Sequence, residues 1–292
     1  MTARSEPGRP ARARSPGRAM AAAFIRNGST VAGLALIVPV LAAALAGPAL
    51  YPVDPFAIVW RPLTPPGEAA VPLGSDFLGR DVLAGILHGG RATLAVGAAA
   101  AAICVVLGVA VGAVAGYCGG LVDGACMRIA EFFQVLPGLL FAMALVSLFG
   151  PSPVTVAVAI GVASWPPVAR LARAEVMRIK ALDHVRASRA IGASGRRLLW
   201  RTILPGALPP LISAATLAVG AAILFEAGLA FLGLGDPDAM SWGLMMGANR
   251  DFVLQAWWAV ALPGLAIFLT VLGIGLVGDG LTDALDPKRR GR

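Results

Sequence analysis

Five stretches of this chain contain no Asp, Glu, Lys or Arg and are long enough to cross a bilayer: residues 27–53, 92–122, 132–169, 202–225 and 252–278. A spanning helix needs about 20 predominantly apolar residues, because the hydrocarbon core is about 30 Å thick and each residue rises about 1.5 Å. The third run holds 38 residues, too many for one helix. It is interrupted by Gly150-Pro151-Ser152-Pro153, where prolines without a backbone donor predict a tight turn. Five runs therefore predict six spans, at about 30–51, 93–117, 132–149, 154–171, 207–226 and 257–278.

Composition points the same way. The chain is 58% hydrophobic and 14% charged, with a mean hydropathy of +0.78, whereas a soluble domain carries about 25% charged residues. There is too little polar surface here to cover a water-soluble globule. The expected fold is an all-α, polytopic membrane protein with a transmembrane domain over 30–292 and a basic, disordered tail over 1–29. A secretory signal peptide competes for the first span, since Ala44-Leu45-Ala46 resembles a cleavage site. An apolar run of about 20 residues exceeds the usual signal-peptide core, and five spans follow it. An uncleaved anchor is the better reading.

The net charge of +8 suggests nucleic acid only if the cations share one surface. They follow the membrane instead. Arg4, Arg9, Arg12, Arg14, Arg18 and Arg26 precede the first span, nine cations lie between Arg170 and Arg201, Arg128 stands alone, and four follow Asp286. These 20 share the side of both termini, against Arg61, Arg80, Arg91 and Arg250 on the other. The positive-inside rule then puts both termini in the cytoplasm and leaves residues 52–92 and 227–256 outside. No nucleic-acid partner is expected.

Catalysis and metal binding find no support. Cys104, Cys118 and Cys126 form no metal-type spacing, and His88 and His184 fall on opposite sides of the predicted membrane. Ser213 and Thr216 are spaced as helix-packing hydroxyls as readily as a nucleophile. No catalytic and no metal residue is expected. Neither Lys180 nor Lys288, the two lysines of the chain, follows glycine, so no P-loop exists. Two features inside the spans invite a pathway or gate reading. Glu226 is an acid between strongly apolar runs, and such a group is a functional candidate by default. Trp165-Pro166-Pro167 falls inside the fourth span, where proline frees backbone carbonyls. Loop structure explains Glu226 and a packed kink explains Trp165 and Pro166 equally well.

The longest cytoplasmic connection, Glu175 to Pro205, is the most telling. Residues 181–191 lack Gly and Pro, Gly192 stands where a left-handed residue ends a helix, and Ser194 is placed to cap another. Leu198, Leu199 and Trp200 follow. Such a knob needs a partner to cover its apolar groups, or must fold back on the spans.

Here the chain resembles a family. Ala187 and Gly192, with Ile203-Leu204-Pro205 following, resemble the EAA loop of permease subunits of ABC importers. LGSDFLGRD (Leu73 to Asp81), GYCGGLVD (Gly116 to Asp123), EAGLAFLGLG (Glu226 to Gly235), SWG (Ser241 to Gly243) and GDGLTDALDP (Gly278 to Pro287) extend it. They are similar to the C-type permease of dipeptide, oligopeptide and nickel importers. The resemblance departs at Arg186, where the family has Glu, and at Ser188, where it has its second Ala.

The resemblance implies a type I importer permease fold in the bacterial inner membrane, with the EAA loop at 175–205 seated in an ATPase groove. Leu182, Val185, Arg186, Ala187, Ser188, Arg189, Gly192, Ala193 and Ser194 would carry that coupling. A second homologous permease, two ABC ATPase subunits and an extracytoplasmic substrate-binding protein are implied as partners, alongside membrane lipid. This chain would hold no cofactor; ATP and Mg would sit on the ATPases. Peptide is the expected cargo, and nickel, glutathione or opine are alternatives. A secondary transporter or channel is the competing class, predicting paired intramembrane charges or an inverted repeat.

Overall fold

The computed structural model describes Phe24 and residues 26–285. The expectation of a disordered basic tail falls mainly outside these residues, as do the four cations after Asp286. Ten α-helices make up most of the described residues. Helix α1 (Gly28–Leu50) begins at Asn27, whose side chain accepts the Ser29 N–H at 3.0 Å. Then come α2 (Val82–Cys118), α3 (Gly120–Val135), α4 (Gly138–Phe149) and α5 (Pro153–Lys180). Two short helices, α6 (Asp183–Ala190) and α7 (Gly195–Leu198), lead through a π turn (Leu199–Ile203) into α8 (Leu204–Phe231). An outer short helix α9 (Trp242–Asn249) and the final helix α10 (Trp258–Leu285) complete the chain.

Five of these are long and apolar enough to span a bilayer, counting Gly195–Phe231 as one. The predicted third span, 132–149, is corrected by the structure. Its residues belong to α3 and α4, which meet at a bend of 86°. The cause is Pro137: the residue before proline is pushed out of the helical region, and Leu136 is extended with φ −75° and ψ 130°. The turn at Gly150–Ser152 does form, with Gly150 at φ +85° and Ser152 capping α5 through Thr155 N–H. Trp165-Pro166-Pro167 does not interrupt α5, which runs through both prolines.

The second span starts eleven residues earlier than expected. Asp81 accepts the Leu83 N–H at 2.8 Å and so fixes a helix start at Val82. Arg91 is consequently inside α2. Its guanidinium donates to the carbonyls of Ala44, at 3.0 Å, and Leu45. Pro48 lacks the N–H that would bond the Ala44 carbonyl, so Arg91 supplies the donor that proline withholds.

Close packing of α2 on α5 makes the centre of the fold. Gly108, Gly112 and Gly116 recur every four residues on one face of α2. A Cβ on Gly108 would lie 2.6 Å from Val168 Cβ, and one on Gly116 would lie 2.7 Å from the Arg173 carbonyl. Helices in hydrocarbon associate through such small-residue stripes because van der Waals contact replaces the missing hydrophobic force. Ala100, Ala159, Ile160 and Leu229 extend this core outward. The hydroxyls of Ser213 and Thr282 lie 2.5 Å apart and tie α8 to α10.

The outer segment before α2 is rigid. Asp76 accepts the N–H groups of Leu78 and Arg80, each at 2.8 Å. Trp258 Nε1 donates to the Ser75 carbonyl at 3.1 Å, and Phe77 N–H donates to Asn249 Oδ1 at 3.2 Å. Two backbone groups of LGSDFLGRD thus fix this segment to α9 and the start of α10, while Asp76 holds its own turn.

Candidate functional site: a knob and an apolar cleft

The expected helix over 181–191 is realised as α6, Asp183–Ala190. Gly192 follows at φ +90°. Its N–H bonds the Arg189 carbonyl at 3.0 Å, and Ala193 N–H bonds the Ser188 carbonyl at 3.1 Å. This pair of reversed bonds is the Schellman closure, which requires a left-handed residue at that position. Ser194 occupies the cap position of α7, but its side chain makes no capping bond. The hydroxyl contributes less than the spacing suggested.

The knob folds back on the spans and also presents apolar groups outward. Val185 and Leu198 are buried with Val176, Ile179, Ile203 and Leu211, so the knob shares a core with α5 and α8. In contrast, Ile191 is 88% exposed, Trp200 65% and Leu182 39%. Arg186, Arg189, Arg196, Arg197 and Arg201 are exposed around them. The knob thus presents an apolar tip ringed by cations. Of the nine expected coupling residues, Leu182, Arg186, Ala187, Ser188 and Arg189 lie on or before α6, and Gly192, Ala193 and Ser194 form its closure. Val185 is turned inward.

A π turn joins the knob to α8. Leu204 N–H bonds the Leu199 carbonyl, one residue further back than in an α-helix. That widened turn precedes Pro205, whose ring and missing N–H a regular helix would not accommodate. Gly195 to Phe231 is consequently one continuous apolar rod.

A cleft of about 510 Å³ opens between α2, the α3–α4 bend, α5 and α8. Phe133, Gln134, Pro166, Leu217, Ala218 and Phe225 line it, with Cys104 and Ser164 as its small polar groups. The three expected pathway residues separate here. Pro166 lines the cleft. Trp165 stands behind it, buried, with its ring 5.6 Å from that of Phe133. Glu226 is 4% exposed and is absent from the lining. It lies where α8 meets α2 and α9, beside the hydroxyls of Thr93 and Ser241, and its Oε2 has no hydrogen-bond partner. Thr93 also accepts the Trp242 N–H at 3.2 Å. Glu226 is therefore part of the joint that seats α9, and the cleft residues Phe133, Gln134, Leu217 and Phe225 are the ones sequence reasoning missed. Pro137 was their signal, since the bend it forces opens the cleft wall.

Among the described residues, no three of His, Cys, Asp or Glu are placed to hold a metal ion. His184 is on the knob, and its carbonyl accepts from Ser188 at 2.8 Å. His88 is on α2 near the opposite end.

Comparison with known proteins follows from this geometry. Residues 108–291 match the signature of the family described as "Binding-protein-dependent transport system inner membrane component". The chain is 41% identical to the di/tripeptide transport system permease DppC of Pseudomonas aeruginosa, over 91% of this chain and 90% of that one. It is 38% identical to the probable D,D-dipeptide permease DdpC of Escherichia coli, over 90% and 89%. It is 39% identical to the dipeptide permease DppC of Bacillus subtilis, over 91% and 83%. In fold it is similar to a chain of the methionine ABC transporter MetNI in an inward-facing conformation. That match has a TM-score of 0.60 at 20% identity and covers 69% of this chain and 96% of the other.

Proposed function

The chain belongs to the binding-protein-dependent transport system inner membrane components, multi-pass permease subunits of ABC importers, and from that premise we propose that it forms half of an ATP-driven pathway for small peptides. Identity of 38–41% to di/tripeptide and dipeptide permeases over most of the chain carries the peptide assignment. The cleft between α2, the α3–α4 bend, α5 and α8 is this chain's share of the pathway, and a second, homologous permease supplies the facing wall. Two ABC ATPases hold ATP and Mg²⁺, and an extracytoplasmic binding protein delivers the cargo to the outer segments.

The knob at 181–200 is the coupling element in this reading. Exposed Ile191 and Trp200 enter the ATPase groove, and the rod from Gly195 to Phe231 carries the displacement inward. Two packed states joined by a rigid lever are the usual form of such a transition. Arg186 meets an acidic ATPase surface where other members present an acid. Both termini are cytoplasmic, on the 20-to-4 division of cations.

Proteoliposomes test this directly. With the partner permease, ATPases and loaded binding protein present, labelled dipeptide should accumulate when ATP is supplied. The chain alone should neither hydrolyse ATP nor take up dipeptide under an ion gradient. Gradient-driven uptake by the chain alone would replace this reading with a secondary transporter. Competition by nickel, glutathione or an opine that exceeds competition by dipeptide would reassign the cargo.

A further inference from the structure

The block GYCGGLVD lies away from both the knob's tip and the cleft, and its role is not explained by either. Its tyrosine touches the residue just before the knob and the first residue of the knob's second helix. Lys180, the last residue of α5 before the knob, donates from Nζ to the Tyr117 carbonyl at 2.5 Å. The same Nζ lies 5.3 Å from the centre of the Tyr117 ring. Gly195, the first residue of α7 within the knob, presses against the hydroxyl end. A Cβ at Gly195 would lie 2.5 Å from Tyr117 Oη and 3.3 Å from Cζ, where ordinary contact begins near 3.4 Å. The entry of the knob and the start of its second helix are thus seated on one side chain.

What lies beyond Tyr117 leads to the cleft. Gly119 and Gly120, at φ +71° and +55°, turn the chain from α2 into α3. Asp123 in the first turn of α3 receives both Arg173 Nε and, at 2.5 Å, Arg173 Nη2. A two-bond arginine–carboxylate pair fixes direction as well as distance, so α3 is held to α5 at this end. At its other end α3 reaches Phe133 and Gln134 in the cleft wall.

We propose that Tyr117 is the seat on which the knob turns, and that Gly116 to Asp123 passes the knob's position through α3 to the cleft wall. Tyr117 is a positioning residue: it touches neither cargo nor nucleotide. This rests on residues 181–200 being the coupling element, as proposed above.

A compensating pair of substitutions in the complete transporter tests it, with peptide transported per ATP hydrolysed as the readout. Gly195→Ala inserts a methyl against the Tyr117 hydroxyl and should lower that ratio about tenfold, the scale of an overpacked contact. Tyr117→Phe removes the hydroxyl and keeps the ring beside Lys180. Combined with it, the effect of Gly195→Ala should shrink to about twofold. If Gly195→Ala instead lowers the yield of assembled complex, Tyr117→Phe must restore that yield. Independent, additive effects on either readout overturn the proposal, as does a Gly195→Ala transporter with the wild-type ratio. Trp200→Ala separates the two levels. Loss of coupling by Trp200→Ala without compensation at the pair refutes the seat alone. Intact ATPase association and coupling in Trp200→Ala refute the coupling reading beneath it.

Discussion

Gly192→Val is the perturbation whose consequence the structure determines most closely. Nothing lies within 4 Å of a Cβ built at Gly192, so the substitution meets no steric obstacle in the fold. Its whole effect is conformational. A residue with a Cβ held in the left-handed region at φ +90° costs about 1–2 kcal/mol, with β-branched valine at the upper end. The chain has one escape, which is to let residue 192 relax to negative φ. That breaks the bonds from Gly192 N–H to Arg189 and from Ala193 N–H to Ser188, at about 0.5–1.5 kcal/mol each. The two routes cost similar amounts, so α6 loses about 1–2 kcal/mol of its preference for the seated geometry, roughly a 5- to 30-fold change in population.

The spans do not depend on this closure, and the protein should insert and extract from the membrane normally. ATPase co-purification, and transport per ATP in proteoliposomes, should fall within that 5- to 30-fold range. Gly192→Asn gives the internal control, because asparagine tolerates the left-handed region better than other residues; its loss should be several-fold smaller. A Gly192→Val transporter with wild-type association and stoichiometry would refute the reasoning, since it would mean that the orientation of α6 does not matter to the ATPase.

Three further outcomes follow from the geometry. Burial raises the Asp76 carboxyl above its ordinary value, against the backbone N–H groups of Arg80, Leu78 and Gly79 and the nearby Arg80 charge. Its charged form is thus disfavoured in the fold, a cost absent below the ordinary carboxylate range and growing as pH rises through it; Asp76→Asn, which keeps an acceptor, should gain in Tm over wild type towards neutral pH, and a gain that grows on acidification would contradict this. In a background with Cys104, Cys118 and Cys126 replaced, cysteines at exposed Glu68 and Leu254 should react with an impermeant thiol reagent in spheroplasts while one at Ser194 should not; Ser75 and Asn249 are buried and would not report. Arg186→Glu should weaken ATPase binding most at low ionic strength, since the exposed contact is screened by salt, and ATPase binding left unchanged would assign Arg186 to lipid headgroups instead.

The membrane architecture is written in the charge-free runs because an unsatisfied backbone or an unpaired charge is so costly in hydrocarbon. The same logic misplaced the start of α2. Scanning for charge-free residues stops at Arg91, yet Arg91 is tolerated inside the helix because Pro48 leaves the Ala44 carbonyl in need of a donor. That pairing joins residues 47 apart in sequence, and periodicity along one segment carries no trace of it. The bend at Pro137 was legible as a proline but not as a break, since Pro166 and Pro167 in α5 leave their helix continuous. What differs is the surroundings: α5 is clamped along the glycine stripe of α2, and the α3–α4 junction faces an open cleft.

The knob was legible for local reasons. A glycine-closed helix followed by apolar residues requires only short-range chemistry, and Gly192 behaves as the spacing implies. Glu226 was legible as unusual but not in its place, because its neighbours Thr93 and Ser241 come from α2 and the cap of α9. Tyr117 gave no sign at all of touching Gly195. That contact depends on how far α2 extends past α5, which follows from packing over Gly108, Gly112 and Gly116.

The central claim is that residues 181–200 sit on a separate ATPase. A photoreactive amino acid at Ile191, 88% exposed at the tip of the knob, measures it in the assembled transporter. Illumination should give one dominant cross-link, to the ATPase subunit, with the chain otherwise transporting dipeptide normally. Cross-links to lipid alone, with transport intact, would contradict it.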